Sequence, residues 1–366
     1  MKKILLAFGT RPEAIKMCPL VKELRNDKNI EVRVCITGQH KEMLTQVLDV
    51  FHIIPDYDLA IMKKNQSLFD ITERVLGGMR DVCVKEKPDV VLVHGDTTTS
   101  FASALASYYL RIPVGHIEAG LRTYNQWSPY PEEFNRQAVG VLADLHFAPT
   151  DSARTRLIQE GKKENRIFIT GNTVIDALKT TIREDYHSEI AEWAEGSRLV
   201  LLTAHRRENL GVPLCNMFAA IKNVIDSVED VKILYPVHKN PAIRKIAYEI
   251  FGKEPRVRLE EPMNVIDFHN IMSRSYMVMT DSGGIQEEAP ALGKPVLVMR
   301  DTTERPEGVE AGTLKLVGTE KDTIEREFKK LLQDQSSYAQ MANAVNPYGD
   351  GKASIRIARI IKEFLE

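Results

Sequence analysis

The sequence of 366 residues lacks the features that mark several classes of protein. Its four cysteines form no C-x-x-C pair and no regular framework, which excludes a disulfide-stapled scaffold and favours reduced thiols in a cytosolic protein. No apolar run approaches the roughly eighteen residues of a membrane span. The short apolar run after Lys3 meets Gly9 without a cleavage site, so we interpret it as a first β-strand rather than a signal peptide.

The charge balance excludes a general attraction to polyanions. The chain has 49 Lys and Arg residues against 51 Asp and Glu residues, a formal charge of −2. We therefore expect neither nucleic acid nor a membrane as a partner, and any anion must be bound by a local cluster of cations.

Motifs for cofactors and metals are also missing. The chain contains neither G-x-G-x-x-G nor G-x-x-x-x-G-K-[ST], which argues against a bound dinucleotide and a P-loop. The nine histidines show neither H-x-x-x-H nor a cluster with cysteine, so we expect no metal site. G-x-S-x-G is absent as well, which weakens the hypothesis of nucleophilic hydrolysis. The sequence thus predicts a protein that works without a cofactor.

Short β-branched runs alternate with helical patterns, which predicts an α/β fold with parallel sheets and helices on both faces. A first series of strands is expected at residues 3–8, 31–37, 89–94, 113–118, 145–149 and 166–170. A second series is expected at residues 199–204, 231–236, 257–259, 276–280, 295–299 and 313–317. A polar stretch separates the series, so we predict two domains, namely 1–170 and 171–352, with a terminal helix at 353–366 packed on one of them.

In the first half, charged motifs follow predicted strands, where parallel sheets bind their ligands. Arg11 and Lys16 bring two cations to a helix start, which indicates either an anion grip or a capped surface helix. Asp96 is either a catalytic carboxylate or the N-cap of the next helix. Glu118 ends an apolar strand, where a carboxylate is costly to bury unless it is partnered or functional.

A fourth motif in the first half begins a predicted helix with acidic residues. Glu132 is spaced to form an ordinary i, i+4 ion pair with Arg136, which is the structural interpretation. Three carboxylates, those of Asp96, Glu118 and Glu132, are nevertheless available to one site. Different environments could divide them into a general acid and a general base.

The second half carries motifs suited to an anion. His205 and Arg206, with a further arginine, follow the first strand of the second series and form the local cation cluster that the neutral overall charge requires. The Ser-Gly-Gly segment 282–284 allows backbone to approach a phosphate, and Glu288 can reach ribose hydroxyls. Arg305 adds another cation after a later strand.

Eight motifs that span nearly the whole chain resemble those of the non-hydrolysing bacterial UDP-N-acetylglucosamine 2-epimerases. They are, in order, G-T-R-P-E-A-I-K, H-G-D-T-T-T, H-I-E-A-G-L-R, P-E-E-x-N-R, T-G-N-T-V-I-D-A, H-R-R-E-N, D-S-G-G-I-Q-E-E and T-E-R-P-E-G. The resemblance implies the GT-B architecture, with two Rossmann-like domains whose parallel sheets face a central cleft and a last helix that crosses back to the first domain.

The same resemblance implies an activity and a setting. It implies interconversion of UDP-N-acetylglucosamine and UDP-N-acetylmannosamine, in the cytoplasm, by a homodimer that supplies cell-envelope polysaccharides. The C2 proton of this substrate has no adjacent carbonyl, so direct abstraction is prohibitive, whereas loss of UDP from C1 together with the C2 proton gives a neutral glycal. UDP then adds back after a proton reaches the other face of C2.

The resemblance also implies roles for residues that stand in or near the matching motifs. The implied catalytic residues, whose division between the two faces of C2 stays open, are Asp96, Glu118, Glu132 and His205. The implied substrate contacts are Arg11, Lys16, Arg136, Phe268, Ser282, Gly283, Gly284, Glu288 and Arg305. An activating second UDP-N-acetylglucosamine is implied at Gln39, His40, Gln66, Arg206 and His238. The match there is less complete, because Glu42 and Asn65 stand where we expect Gln and Arg.

Four rival functions remain open at this point. A hydrolysing epimerase would release N-acetylmannosamine and UDP, but the intact R-P-E-A-I-K segment argues against it. A retaining glycosyltransferase of the same architecture would leave three first-domain carboxylates harder to explain. A UDP-sugar sensor is disfavoured by the complete set of acids and bases. An NAD-dependent epimerase is opposed by the missing glycine fingerprint.

Overall fold

A computed structural model describes residues 1–38, 41–63 and 66–366. The chain forms two α/β units, the first made of Met1–Thr180 with Tyr348–Glu366 and the second of Thr181–Pro347. The strands described in the first unit form one parallel sheet in the order β3-β2-β1-β4-β5-β6-β7, and those in the second form another in the order β10-β9-β8-β11-β12-β13. Both orders are those of a Rossmann fold.

The first unit alternates strands with helices. Its strands are β1 (Lys2–Phe8), β2 (Ile30–Ile36), β3 (Tyr57–Asp58), β4 (Val90–His94), β5 (Val114–Ile117), β6 (Leu145–Ala148) and β7 (Ile167–Ile169). Its helices before the boundary are α1 (Arg11–Arg25), α2 (Lys41–Phe51), α3 (Leu68–Glu86), α4 (Thr98–Tyr109), α5 (Glu132–Leu142), α6 (Asp151–Gln159) and α7 (Thr173–Thr181).

The second unit repeats this alternation. Its strands are β8 (Arg198–Thr203), β9 (Val231–Pro236), β10 (Val257–Glu260), β11 (Met277–Thr280), β12 (Val296–Val298) and β13 (Leu314–Leu316). Its helices are α8 (Glu189–Ala194), α9 (Val212–Ser227), α10 (Pro241–Phe251), α11 (Val265–Arg274), α12 (Ile285–Ala291), α13 (Pro306–Glu310), α14 (Lys321–Gln333) and α15 (Gln335–Ala342). The chain ends with α16 (Ala353–Leu365), which belongs to the first unit.

The central strands are mostly apolar and mostly buried, as expected where helices cover both faces of a sheet. Every residue of β4 is buried, and β1 is buried from Ile4 to Phe8. In the second unit, β11 is likewise buried throughout. Such strands lack the alternation of a half-exposed sheet, which is the pattern expected of parallel α/β folds.

All twelve predicted strands are present, with ends within one residue of those expected. The strand β3 was not predicted. It has two residues, Tyr57 and Asp58, which pair with Cys35 and Ile36 at the sheet edge. A strand this short has no hydrophobic period to detect.

The first unit extends beyond the predicted boundary and includes residues up to Thr180. The reason is a set of hydrogen bonds from α7 and its preceding turn to the returning chain. Asp176 accepts bonds from the backbone of Ala353 and Ser354 at 3.1 and 2.8 Å, which caps α16. Asn172 N donates to the carbonyl of Tyr348 at 2.7 Å, so the return to this unit begins at Tyr348 rather than at residue 353.

Within the described ranges, no helix combines the length and apolar character needed to cross a membrane.

Candidate functional site

Both sheets change the direction of their strand order at one point, and such points are where α/β proteins bind ligands. In the first unit the point lies between β1 and β4, and in the second between β8 and β11. The segments that follow these strands and their neighbours carry the motifs selected from the sequence. Each unit therefore presents one polar cluster at the carboxyl ends of its strands.

The turn after β1 is fixed by tight packing and by a capping box. A Cβ on Gly9 would lie 1.9 Å from Thr37 Oγ1, so only glycine fits. Thr10 caps α1, and the Glu13 carboxylate accepts a bond from the Thr10 backbone at 2.8 Å. The helix begins at Arg11, which is partly exposed, and one turn later it holds Lys16, which is buried.

Glu118 lies at the centre of the first-unit cluster. Its backbone adopts a φ of +63°, a left-handed conformation that is costly for a side-chain-bearing residue and often marks functional sites. Glu118 Oε2 accepts hydrogen bonds from Lys16 Nζ and from Asn172 Nδ2, the latter at 2.6 Å. His94 Nε2 lies 3.8 Å from the same oxygen. The result is a buried carboxylate held between a cation, an amide and an imidazole.

Asp96 forms the second carboxylate of this cluster. Burial raises the pKa of Asp96, and the nearby Glu118 raises it further, whereas Arg136 opposes both effects. Arg136 Nη2 donates to Asp96 Oδ2, and Asn135 Nδ2 donates to the Asp96 carbonyl at 2.9 Å. Asp96 is not the N-cap of α4, because Thr97 takes that position. The structural interpretation of Asp96 as a cap is therefore wrong.

The acidic start of α5 differs from the sequence-based interpretation. Arg136 pairs with Asp96 and, at 3.4 Å, with the fully buried Glu133, rather than with Glu132. Glu133 accepts bonds from the backbone of Thr123 and of the following residue, which fixes the loop after β5. Glu132 is partly exposed, and its side chain makes no hydrogen bond or ion pair with the described residues of the cluster.

Three buried histidines lie on the neighbouring strands β4, β5 and β6. Burial lowers the pKa of His94 to about 4, of His116 to about 3 and of His146 to about 4. His116 Nε2 donates to the carbonyl of Gly95 at 2.7 Å, which holds the turn before Asp96. These imidazoles are neutral at physiological pH.

Acid should destabilise the fold through these histidines. Because their folded-state pKa values lie below the usual value of about 6.5, the stability that they contribute is present above that value and is lost as the pH falls towards the folded pKa. As the pH falls from about 7 to about 5, protonation of each of these histidines lowers the free energy of unfolding by about 2 kcal/mol. In urea titrations, the free energy of unfolding of His116→Gln should fall over this pH range by about 2 kcal/mol less than that of the wild type. As a control, His187→Gln at an exposed position should lose as much unfolding free energy over this range as the wild type. An equal loss in the wild type, His116→Gln and His187→Gln would contradict the expectation.

In the second unit, the buried Asp281 organises the loop after β8. Its carboxylate accepts bonds from the backbone N–H groups of His205 and Arg206, each at 2.9 Å, and from Asn209 Nδ2 at 3.1 Å. The imidazole of His205 stacks on that of His238 with 5.8 Å between centroids. Desolvation lowers the pKa of His205, whereas Asp281 opposes this effect.

An arginine cluster lies beside this loop. The carboxylate of Glu304 is surrounded by three guanidinium groups. Its oxygens lie 3.5 Å from Arg206 Nη2, 2.9 Å from Arg300 Nη1 and 2.7 Å from Arg305 Nη1. Although desolvation raises the pKa of Glu304, Arg305 and Arg300 lower it to about 2, so the group is ionised. Arg305 also pairs with Glu287, which is only 1% exposed.

The glycine segment after β11 packs against this cluster. A Cβ on Gly283 would lie 2.7 Å from Arg305 Nη1, so the glycine lets the loop approach the guanidinium closely. Glu288 follows on α12, where its Oε2 lies 3.5 Å from His269 Nε2. The neighbouring Phe268 is partly exposed. The predicted contacts Ser282, Gly283, Gly284, Glu288 and Arg305 thus lie around one loop and its neighbours.

The residues predicted for an activator site fall into three groups. Gln39 and His40 lie outside the described residues. Gln66 is described and accepts a bond from the Lys63 backbone at 3.1 Å. Arg206 and His238 belong to the second-unit cluster.

The predicted set omitted five residues that the structure places in the clusters, namely Glu13, Asn172, Glu133, Asp281 and Glu304. All five stand inside the motifs quoted above. Their signal was an additional acid or amide after a strand or in the first turn of a helix, which sequence alone does not separate from a surface residue. In the part of the chain that the structure describes, no three His, Cys, Asp or Glu side chains are grouped to hold a metal ion.

Two Rossmann-like units with parallel sheets, each with a polar cluster at its switch point, define the α/β class of the GT-B type, and that prediction is confirmed. A family model described as UDP-N-acetylglucosamine 2-epimerase matches residues 22–362. The UDP-N-acetylglucosamine 2-epimerase of Bacillus subtilis is 56% identical over 363 residues, which cover 99% of this chain and 95% of that protein. The chain belongs to the UDP-N-acetylglucosamine 2-epimerase family, and it is an isomerase.

Solved structures match along the whole chain. Staphylococcus aureus MnaA in a co-structure with UDP has a TM-score of 0.94 and 51% identity, and the match covers 100% of this chain and 97% of that chain. UDP-GlcNAc 2-epimerase from Neisseria meningitidis, bound to UDP-GlcNAc, has a TM-score of 0.92 and 48% identity, and the match covers 99% of this chain and 100% of that one.

Proposed function

We propose that this protein interconverts UDP-N-acetylglucosamine and UDP-N-acetylmannosamine without hydrolysis. In this reaction a base removes the C2 proton while the C1–O bond breaks, so that UDP leaves and a C1=C2 glycal remains. A proton then reaches the opposite face of C2, and a phosphate oxygen of UDP re-forms the bond to C1. The single observation that carries the proposal is the first-unit cluster, in which the buried carboxylate of Glu118 and the partly exposed carboxylate of Asp96 have different partners.

The partners of these carboxylates support different roles. Glu118 is bound by Lys16 and Asn172, and a neighbouring cation favours the ionised form of a carboxylate. The pKa of Asp96 is raised by burial, which favours the protonated form. Two carboxyl groups in different environments are the arrangement that acid and base catalysis requires. We infer that Glu118, Asp96, Glu132 and His205 share the proton transfers.

Arg136 supports contact with a ligand in the first unit. Its side chain is 7% exposed, and Nη1 forms an ion pair with Glu133 at 3.4 Å, but Nε donates no hydrogen bond to any residue in the described ranges. A buried guanidinium donor without a partner is costly, so a hydroxyl or anionic oxygen of the substrate would satisfy it.

The second unit supports binding of UDP. Arg206 and Arg305 supply cations, and the Gly283 segment allows backbone to approach a phosphate. Glu288 is a carboxylate acceptor for ribose hydroxyls. The relatives whose structures contain UDP or UDP-GlcNAc match this chain over its full length. Cations near the diphosphate would stabilise the charge that develops as UDP leaves.

The wider setting is part of the same proposal. The protein acts in the cytoplasm as a homodimer, needs no cofactor, and supplies cell-envelope polysaccharide synthesis. A second molecule of UDP-N-acetylglucosamine activates it through Arg206, His238 and Gln66, with Gln39 and His40.

Incubation with UDP-N-acetylglucosamine in D2O, without added cofactor, tests the proposal. Proton NMR and mass spectrometry should show UDP-N-acetylmannosamine that carries deuterium at C2 and retains UDP. Accumulation of free N-acetylmannosamine would identify a hydrolysing enzyme instead. A substrate that stays unchanged and undeuterated would refute epimerisation and favour a sensor or a transferase.

A further inference from the structure

The Glu13 carboxyl group connects the two turns that carry the first-unit cluster. It is 3% exposed and accepts bonds from the turn after β1 through Oε2, from Gly9 N at 3.0 Å and from the backbone N and hydroxyl of Thr10, both at 2.8 Å. Its Oε1 lies 2.7 Å from Thr97 Oγ1, in the turn after β4, and 2.9 Å from Ser100 Oγ, in the first turn of α4. One side chain thus joins the turn of Arg11 to the turn of Asp96.

The oxygen atoms around Oε1 outnumber the hydroxyl hydrogens available to them. Ser100 Oγ lies 2.5 Å from the carbonyl oxygen of His94, and a carbonyl can only accept, so the hydrogen of Ser100 lies in that contact. The Ser100 hydroxyl therefore has no hydrogen left for its 2.9 Å contact with Glu13 Oε1. The hydrogen of Thr97 serves the 2.7 Å contact with the same oxygen.

With the 3.1 Å contact between Thr97 Oγ1 and Ser100 Oγ, four oxygen–oxygen contacts share two hydroxyl hydrogens, and the Glu13 carboxyl group is the remaining source of a third hydrogen. Two oxygens at 2.9 Å without a hydrogen between them would repel each other, and burial would strengthen the repulsion. We propose that Glu13 is a positioning residue that carries a proton in the folded protein, donating from Oε1 to Ser100 Oγ while Oε2 accepts from the turn after β1.

The charges nearby fit a neutral Glu13. Among the titratable groups of the elements packed around it, the nearest in the chain are Arg11 and Lys16 on α1, and His94 and Asp96 at the end of β4 and in the following turn. The other titratable residues of α1 follow further along the helix, namely Cys18, Lys22, Glu23 and Arg25. The end of β2 contributes the uncharged Thr37, whose hydroxyl lies beside Gly9. No charged side chain in the described ranges makes a hydrogen bond or ion pair with Glu13, whose bonds come from backbone and hydroxyl groups.

The electrostatics of burial act in the same direction. Desolvation raises the pKa of Glu13, and the hydrogen bonds from Thr97, Gly9 and Thr10 only oppose it. A neutral acid joins the two turns without adding an anion beside Arg11 and Lys16, so it does not offset the positive charge that these residues present to an anionic substrate. This consequence rests on the proposed function, whereas the tests below measure protonation and stability without turnover, so either idea can fail alone.

Infrared spectroscopy of the full chain with 13C-labelled glutamate tests the protonation directly. The difference between the wild type and Glu13→Gln at neutral pH should contain the carbonyl stretch of one carboxylic acid. Loss of a carboxylate band instead would overturn the proposal. Failure of Glu13→Gln to fold would also overturn it, because an amide reproduces the donor and acceptor of a neutral acid.

The pH dependence of stability gives an independent measurement. A folded-state pKa above that of the unfolded chain contributes stability that is complete below the unfolded value and is lost as the pH rises. In urea unfolding, the folding equilibrium constant of the wild type should therefore fall relative to Glu13→Gln by about tenfold per pH unit above about pH 4.3. A ratio that stays constant or rises with pH would overturn the proposal. Glu13→Ala, which leaves the surrounding donors without an acceptor, should unfold at a lower urea concentration than Glu13→Gln.

Discussion

Replacement of Glu118 by glutamine should lower kcat for epimerisation by about 10²- to 10⁴-fold, the usual contribution of a general acid or base. Incorporation of deuterium at C2 should fall by the same factor, because both require the same proton transfer. Affinity for UDP should be unchanged, since we assign UDP to the second unit. The two measurements are steady-state turnover with NMR detection and calorimetric titration of UDP.

The size of this effect follows from the surroundings of Glu118. The carboxylate is 8% exposed and is held by Lys16 and Asn172. Glutamine has nearly the same shape and keeps an acceptor oxygen, but it cannot take up a proton at neutral pH. A loss of turnover with unchanged UDP affinity would therefore report lost chemistry rather than a collapsed fold.

A matched control separates the role of Glu118 from the loss of any ion pair. Glu164 is an exposed glutamate of the same unit that pairs with Arg154 at the surface. Glu164→Gln should leave turnover and deuterium incorporation unchanged, because exposed ion pairs contribute little. Full turnover in Glu118→Gln would remove Glu118 from the proton-transfer residues.

Much of the fold is predictable because its signal is local. The strands β1, β4 and β11 are continuous apolar runs bounded by Gly or charged residues, and such runs are what parallel sheets produce. The boundary between the units was harder to place. Residues 171–180 join the first unit through bonds from Asn172 and Asp176 to the returning chain near Tyr348, and partners so distant in sequence leave no local pattern.

For the candidate site, strand ends were predictable and partners were not. The positions of Glu118 and Asp96 after β5 and β4 followed from the motifs. That Arg136 pairs with Asp96 rather than Glu132 depends on how α5 packs against the turn after β4. Spacing within a helix favoured the i, i+4 pair, but the partner supplied by the tertiary structure was a different carboxylate.

Replacement of Arg305 by methionine should have two separable effects. Loss of a charge-assisted contact should weaken UDP binding by about 10- to 100-fold. The change also leaves Glu287, which is 1% exposed, without its cation, and an unpaired buried charge costs about 3–5 kcal/mol of unfolding free energy. Calorimetric titration of UDP and urea unfolding measure the two effects.

The double variant Arg305→Met/Glu287→Gln distinguishes the ligand contact from the structural one. Removing both charges together should recover most of the stability, because the buried charge is gone. UDP affinity should stay low, because the guanidinium is still absent. Arg244→Met, which breaks an exposed pair with Glu261, should change neither quantity by more than about 1 kcal/mol. If the double variant regained both stability and UDP affinity, Arg305 would act on the ligand only by holding the fold, and its assignment as a UDP contact would be withdrawn.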